Sequence, residues 1–337
     1  MLIGHREQGA AFRAAFDSGT IHHAWLLAGP QGIGKASFAK AAAQWLLARA
    51  AGPQSGISTE SLDVQPDHPT ACLLRARSHL DFRLVERVYA DSEGRPSDKL
   101  RRDIQIDQIV RRPKSKWEPP LSESLRSTPA LSSWRVVIID AMEEMNDNST
   151  NALLKMLEEP PQGTLFLCVT HSVGRLKPTI RSRCRLVRFE PLGDEDVARV
   201  LDDVRPDLSM TDRDALVRIA QGAPGRALRF ASIGIAALEA ELGELAVAGP
   251  QAATARALLL SRSLAAKAAT PRYEAFLELA PAAIAHAARD RRGPRLARAL
   301  ALWEKATALA ASAVALSLEP QSVAFDLAML VSGLAET

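Results

Sequence analysis

The stretch Gly29-Pro30-Gln31-Gly32-Ile33-Gly34-Lys35-Ala36 decides how this chain folds. A phosphate-binding loop has the pattern G-x-x-x-x-G-K followed by Ser or Thr, and Gly29, Gly34 and Lys35 match it. Position 36 is Ala, which has no hydroxyl to place on Mg²⁺. The stretch therefore predicts a nucleotide-binding loop, with Gly32 as a further member, in which one usual ligand is missing.

The segments on either side of the loop have the strand and helix character that such a loop requires. Residues 24–28 are apolar and short enough for a buried strand, and residues 38–50 are rich in Ala, Leu and Gln. Residues 6–18 carry apolar side chains at helical spacing. The sequence thus predicts an α/β domain built around the loop.

The composition is that of a soluble globular protein with more than one domain. The chain has 337 residues, of which 47% are hydrophobic and 24% charged, and it is too long for one ordinary core. The net charge of +3 is nearly balanced, so contact with nucleic acid can be argued only from local patches. Three cysteines are too few for a disulfide framework. Because no apolar run looks long enough to span a membrane and the N-terminus has no signal-peptide core, we expect a cytoplasmic protein.

A second predicted strand ends in a carboxylate beside the loop. Residues 134–140 contain four consecutive β-branched side chains followed by Asp140, which is typical of a buried parallel strand. Ligands of open α/β sheets bind at the carboxyl ends of the strands. Asp140 is therefore expected where a P-loop ATPase holds its metal ion, and the pairing of loop and aspartate is more specific than either alone.

The residue that would orient an attacking water is absent from its usual position. Many such ATPases have Glu directly after the strand-end Asp, but here that position is Ala141. Glu143 and Glu144 follow, and we expect them to begin the next helix and to point elsewhere. Together with Ala36, this predicts a fold that was kept while the hydrolytic chemistry was lost.

Other segments add polar groups. Residues 164–170 form a predicted buried strand that ends in Thr170, on the ligand side. Residues 181–188 contain four arginines, which fit an anion site or a subunit interface as well as a solvated turn. An excursion over residues 51–98 includes a basic stretch, and a second basic cluster covers residues 101–116. Such clusters are usually solvated faces, but the second is a candidate for contact with nucleic-acid phosphate.

Two motifs in the middle of the chain carry a family resemblance. Residues 151–161 read Asn-Ala-Leu-Leu-Lys-Met-Leu-Glu-Glu-Pro-Pro, and residues 182–184 read Ser-Arg-Cys. With residues 21–30, they resemble bacterial DNA polymerase III clamp-loader subunits of the AAA+ class. The resemblance covers about residues 1–230, and the remaining third matches only in length and helical character.

The resemblance implies three domains and an α/β P-loop fold with a parallel sheet. The AAA+ ATPase-like domain would cover residues 1–190, a small helical lid residues 191–236, and an all-α collar residues 237–337. The collar would hold the subunits of a hetero-oligomer together. The Ala/Leu-rich amphipathic character of the last hundred residues suits helix packing and subunit contact.

Two kinds of clamp-loader subunit share these motifs. The gamma and tau motor subunits keep a full phosphate loop and an Asp-Glu pair, whereas delta-prime subunits commonly have degenerate ATPase motifs. Ala36 and Ala141 make this chain similar to the delta-prime kind. The resemblance then implies that Arg183 is an arginine finger that acts in the ATP site of a neighbouring motor subunit. The chain itself would have no polymerase activity and little or no ATPase activity.

The same resemblance implies partners and ligands. The partners would be the gamma/tau and delta subunits, with the sliding clamp and primed DNA reached through the complex. No cofactor would be required, and ATP with Mg²⁺ would bind weakly at a vestigial site. That site would consist of Gly29, Gly32, Gly34, Lys35, Asp140, Thr170 and Arg226, the last lying in the segment that matches the family's sensor 2. If the site is empty, Arg226 is instead a surface or interdomain arginine.

A metal ion is not expected. Members of the family often carry a four-cysteine zinc module after the loop helix. The corresponding region here contains only Cys72, with Asp67 and His68 nearby, and structural zinc requires four ligands at set spacings.

Two other functions are compatible with parts of the sequence. An active motor ATPase of the gamma type would hydrolyse ATP as an isolated chain. A P-loop kinase for a small molecule would need an acceptor pocket, and it would leave the Ser-Arg-Cys segment and the helical C-terminal third unexplained.

Overall fold

The computed structural model describes residues 2–90, 95–112 and 119–335. The chain divides into two compact units, Met1–Asp196 and Val197–Thr337. The first unit is α/β and the second is helical. The second unit contains most of the predicted lid and all of the predicted collar, and the three-domain division at residues 190 and 236 stays a prediction.

The strands of the first unit form a five-stranded parallel sheet and a small antiparallel hairpin. In the parallel sheet the strand order is β2-β5-β6-β1-β7, and in the hairpin β3 pairs with β4. The predicted α/β fold with a parallel sheet is therefore confirmed. The strands are β1 (Ala24–Ala28), β2 (Phe82–Glu86), β3 (Tyr89–Ala90), β4 (Pro96–Leu100), β5 (Arg135–Asp140), β6 (Thr164–Thr170) and β7 (Arg185–Arg188).

Helices surround this sheet and make up the second unit. Those that lie wholly within the first unit are α1 (Arg6–Asp17), α2 (Lys35–Ala51), α3 (Pro69–Arg75), α4 (Ile106–Ile109), α5 (Leu121–Ser124), α6 (Asp147–Glu158) and α7 (Pro178–Arg181). The helix α8 (Asp194–Val204) spans the boundary between the units. The second unit continues with α9 (Met210–Ala220), α10 (Pro224–Phe230), α11 (Ile235–Val247), α12 (Pro250–Leu264), α13 (Thr270–Arg289), α14 (Pro294–Leu316) and α15 (Pro320–Ser332). Short 3₁₀ turns cover Met142–Glu144, Val173–Arg175 and Lys267–Ala269.

The sheet is buried on both faces, which explains the continuous apolar runs in its central strands. All residues of β1 and β6 are buried. On one face, β-strand side chains such as Leu26 and Val137 join Leu153 of α6 in a single apolar cluster. On the other face, Trp25 packs edge-on against Phe12 of α1, with ring centroids 5.1 Å apart.

The turn from β1 into α2 depends on glycine. A Cβ atom at Gly29 would lie 2.3 Å from the carbonyl oxygen of Phe189, which follows β7. Gly32 and Gly34 have φ angles of 82° and 100°, in the left-handed region that glycine adopts without steric cost. The loop pattern is therefore required by the backbone path itself, whether or not a nucleotide binds.

The two edge strands of the sheet were not predicted. The β2 region was expected to be part of a basic excursion, and the β7 region an arginine-rich segment. Both strands carry charged side chains, and most of their residues are partly or fully exposed, as is common at sheet edges. Residues 91–94 of the excursion lie outside the described residues.

Helix α14 is the most exposed long helix of the second unit in the part of the chain that the structure describes. Its buried residues are Ala299, Ala306 and Ala313, which recur every seven residues and give a narrow packing face. By length and composition alone, this 23-residue helix could cross a membrane. Of its most apolar 18-residue window, 17% is buried within the structure. The expectation that no apolar run is long enough to span a membrane is wrong for this helix. Much of its apolar character comes from alanines, so the stretch does not stand out in the sequence as a run of large apolar side chains.

The close approach at Gly29 gives a test of the loop's construction. We expect Gly29→Ala to lower the free energy of unfolding by about 2 kcal/mol or more, because backbone must move to relieve the clash. Gly193→Ala is a matched control, since a Cβ at Gly193 meets no atom within 4 Å. Urea unfolding followed by tryptophan fluorescence measures both. Equal stability of the two variants would contradict the close packing described here.

Candidate functional site

Lys35 is folded back onto its own loop. Its Nζ donates hydrogen bonds to the carbonyl oxygens of Gly29 (2.6 Å) and Pro30 (2.5 Å), and only 3% of the residue is exposed. Burial lowers the pKa of Lys35 to about 8, although the charges of Glu143 and Asp140 act in the opposite direction. The ammonium group is therefore poorly solvated, and two loop carbonyl oxygens accept its hydrogen bonds.

Asp140 lies at the edge of the sheet from which the loop leaves. Ala36 and Ala141 lie at the two positions where the sequence predicts that a catalytic side chain is missing. Asp140 ends β5 and lies opposite Glu86 in the backbone register of β5 and β2. The charge of Asp140 raises the pKa of Lys35. Ala36 lies in the first turn of α2. Ala141 is 2% exposed, so the position after the strand-end aspartate is filled by a buried methyl group.

Glu143 is a site residue that the sequence analysis missed. It lies in the 3₁₀ turn after β5, and its Oε1 accepts hydrogen bonds from the Thr170 hydroxyl and from the backbone N–H groups of His171 (2.7 Å) and Ser172 (2.8 Å). Burial raises the pKa of Glu143, but these hydrogen bonds outweigh it and the net pKa is lowered. The expectation that Glu143 points elsewhere is wrong, because the short turn returns it toward the end of β6.

Glu144 does point elsewhere, as expected. Its carboxylate pairs with Arg87, with Oε2 2.7 Å from Nε. The signal that could have separated the two glutamates is their position in a turn of 3₁₀ type, where successive side chains leave about 120° apart.

Thr170 connects this group to the loop. It is fully buried, and its carbonyl oxygen accepts a hydrogen bond from the N–H of Gly29 (3.3 Å). The next residue, His171, has its pKa lowered by burial and by the charge of Lys35, while the neighbouring carboxylates act in the opposite direction. One group of polar and charged residues at the carboxyl edge of the sheet therefore contains Lys35, Asp140, Glu143, Thr170 and His171.

Arg183 does not belong to this group. It follows α7, and its guanidinium pairs with Glu158 at the end of α6 (Nη2–Oε1 2.8 Å) and donates to the carbonyl oxygen of Thr179 (2.9 Å). About a third of its side chain is exposed. Glu158 is a second residue without a sequence-based role, although it lies in the Leu-Glu-Glu-Pro-Pro motif.

Arg226 lies in the second unit and is engaged there. Its Nε donates to Glu278 of α13 (2.9 Å), and Arg229 pairs with the same carboxylate. The guanidinium thus joins α10 to α13, and the structure provides a structural role for an arginine that the sequence analysis assigns to nucleotide binding.

The basic cluster is partly neutralised by carboxylates. Arg111 pairs with Glu123 (2.7 Å) and Arg112 with Asp107 (3.6 Å). Lys114 and Lys116 lie outside the described residues. In the excursion, the ring of His68 caps α3 and contacts the carbonyl oxygen of Pro53 (3.1 Å), while the Sγ of Cys72 contacts the carbonyl oxygen of Pro66 (3.5 Å).

Metal ligands do not gather in the described parts of the chain. Within residues 2–90, 95–112 and 119–335, no group of three or more His, Cys, Asp or Glu side chains is arranged to hold a metal ion. Cys168 and Cys184 are free thiols that pack into the core cluster of the sheet.

Comparison with known proteins gives one family and several relatives. The family model described as "DNA polymerase III, delta subunit" matches residues 4–193. The DNA polymerase III subunit delta' of Pseudomonas aeruginosa is 32% identical over 223 residues, which are 66% of this chain and 60% of that protein. The DNA polymerase III subunit gamma of Buchnera aphidicola from Acyrthosiphon pisum is 29% identical over 225 residues, 66% of this chain and 54% of that protein. The chain thus spans about half the length of the gamma relatives it matches.

One solved structure aligns with most of the chain at low similarity. It is a DNA polymerase III gamma subunit-related protein from Thermotoga maritima, with 15% sequence identity and a TM-score of 0.43. The alignment covers 96% of this chain and 98% of that protein.

The lowered pKa of Lys35 predicts how stability depends on pH. Between pH 8 and pH 10.5 the unfolded chain holds a proton on Lys35 that the folded chain has largely lost, so this residue makes the free energy of unfolding rise with pH. The gain is about 3 kcal/mol for a pKa lowered from 10.5 to about 8. Urea unfolding of wild type and Lys35→Met across this range measures it. The difference in stability should move in favour of wild type as the pH rises, and a constant difference would contradict the burial effect.

Proposed function

The chain belongs to the DNA polymerase III delta subunit family, and on that basis we propose that it is a delta-prime-type subunit of the clamp loader. In this role it has little or no ATPase activity of its own. It supplies Arg183 to the ATP site of a neighbouring motor subunit while the complex places the sliding clamp on primed DNA. The chain acts in the cytoplasm, with gamma/tau and delta subunits as partners.

The position of Arg183 relative to the sheet is the observation that carries this proposal. Strand β7 runs parallel to β1, with Trp25 opposite Arg185 and Ala28 opposite Arg188. Arg183 therefore lies beyond the amino edge of the sheet, whereas the phosphate loop leaves its carboxyl edge. The length of β1, about 16 Å, separates the two edges. A guanidinium in this place cannot reach a nucleotide on the chain's own loop, so it can act on one only in a neighbouring subunit.

The surroundings of Arg183 suit that use. The side chain is partly exposed, and its ion pair with Glu158 lies at the surface, where such pairs are worth little energy. Release of Arg183 toward an anion of another subunit therefore costs little. Arginine stays charged and offers planar donors to phosphate oxygens, which fits stabilisation of charge in phosphoryl transfer.

The chain's own loop has lost more than one catalytic part. Ala36 supplies no hydroxyl for Mg²⁺, and the buried Ala141 supplies no carboxylate for water. The glycines and Lys35 keep the loop's shape, so ATP with Mg²⁺ binds weakly and no cofactor is required for folding. Arg226 lies in the second unit, where its guanidinium pairs with Glu278.

The helical unit offers a surface for assembly. Leu300, Trp303 and Val314 of α14 are 45%, 39% and 72% exposed, and their spacing of 3 and 11 residues places them on one side of the helix. A row of exposed apolar side chains on a long helix is typical of a subunit interface. We assign this row to contact with the helical units of the other clamp-loader subunits.

Replacement of the finger tests the catalytic part of the proposal. Arg183→Ala should leave the complex assembled and reduce its clamp- and DNA-stimulated ATPase several-fold, because one motor site loses a charged donor. Steady-state phosphate release from the assembled loader measures this. Arg181→Ala is the matched control, because Arg181 is an exposed arginine that ends α7 two residues before Arg183, and this variant should retain full activity.

The same assay separates this function from that of a gamma-type motor. The isolated wild-type chain should show no turnover above background. Robust hydrolysis by the isolated chain, or full ATPase and clamp loading by the Arg183→Ala complex, would contradict the proposed role.

Replacement of an apolar residue on α14 tests the assembly surface. Val314→Glu should leave the chain folded, since the side chain is 72% exposed, and should weaken its incorporation into the complex. Val204→Glu, at a valine of α8 that is 53% exposed, is the control. Size-exclusion chromatography of chain mixed with partner subunits measures incorporation, and equal incorporation of both variants would exclude this face of α14 from the interface.

A further inference from the structure

The turn that follows β6 is an anion-binding site of the chain itself. The Thr170 hydroxyl and the N–H groups of His171 and Ser172 all donate to one oxygen, Oε1 of Glu143. Successive backbone N–H groups that converge in this way form a concave site for an oxyanion. The other oxygen of Glu143, Oε2, is buried and has no hydrogen-bond partner among the described residues. The turn is therefore fitted to one anionic oxygen rather than to a whole carboxylate.

This anion site adjoins the phosphate loop. Thr170, which ends β6, pairs with Ala28, which ends β1, and the N–H of Gly29 donates to the Thr170 carbonyl oxygen. The charge of Glu143 also acts on Lys35. The carboxylate is thus at the edge of the sheet where a ligand of the loop would lie, and it holds the hydrogen-bond donors of the turn that follows β6.

We propose that Glu143 is an internal competitor of nucleotide, whose carboxylate occupies the place of a terminal phosphate oxygen of a nucleoside triphosphate. A triphosphate on the loop would need the donors that Glu143 holds, and its negative charge would be repelled by a carboxylate left nearby. The loop is therefore closed by two internal contacts. Glu143 fills the anion site after β6, and the loop's own carbonyls hold Lys35.

This inference rests on the proposed function only in taking residues 29–36 as a weak nucleotide site. It does not depend on the clamp loader, on Arg183 or on α14. The opposite role for Glu143, a carboxylate that assists nucleotide binding through Mg²⁺, predicts the opposite effect of its removal, so one titration distinguishes the two.

The test is a fluorescence titration of the isolated full chain with a mant-labelled ATP, with and without Mg²⁺. Glu143→Ala should bind the nucleotide at least about tenfold more tightly than wild type, because the variant lacks the competing carboxylate and its negative charge. A tenfold change in affinity corresponds to about 1.4 kcal/mol. Glu144→Ala is the matched control, since Glu144 pairs with Arg87, and should bind as wild type does. Addition of Lys35→Ala to Glu143→Ala should abolish the gain, which locates the nucleotide at the loop.

A second variant covers the case in which Glu143→Ala does not fold, as judged by circular dichroism. Glu143→Gln keeps an oxygen that can accept the three hydrogen bonds but removes the charge, so its affinity for nucleotide should lie above that of wild type. Unchanged or weaker binding by a folded Glu143 variant would overturn the proposal. A gain that survives Lys35→Ala would overturn it as well. Loss of ATPase stimulation in the assembled complex bears only on the proposed function and is measured separately.

Discussion

Parallel pairing of β1 with both β6 and β7 is the constraint on which the functional geometry depends. Parallel strands bring all their carboxyl ends to one edge, so the loop after β1, Asp140 and Thr170 share a side of the sheet. The same pairing sends the segment before β7, with Arg183, to the other edge. A single hydrogen-bonding pattern thus places the loop and Arg183 at opposite edges of the sheet.

The two buried charges beside the loop, those of Lys35 and Glu143, are hydrogen-bonded to groups of the chain itself. Lys35 is buried against backbone carbonyls, and Glu143 is buried against a hydroxyl and two N–H groups. Each charge is costly to bury alone, and each is compensated by these hydrogen bonds. The shape of the loop is therefore supported by contacts within the chain itself.

Sequence patterns located the central elements well because burial on both faces leaves a continuous apolar run. The strands at residues 24–28 and 164–170 were predicted with the bounds that the structure has. The edge strands β2 and β7 escaped prediction, because one side of each meets solvent and tolerates charge. Glu143 escaped for a different reason: a turn of three residues, rather than a helix, sets its direction.

The sequence by itself determined the loop, the loss of the hydroxyl at position 36 and of the carboxylate at position 141, and the family motifs around Arg183. These are statements about which atoms exist, and no fold can restore an absent one. Only the tertiary structure decided which groups meet: that Glu143 faces Thr170, that Arg226 is held by Glu278, and that Arg183 lies across the sheet from the loop. Such contacts join residues that are distant in the chain, and they follow from strand order and from the geometry of short turns, which no local pattern encodes.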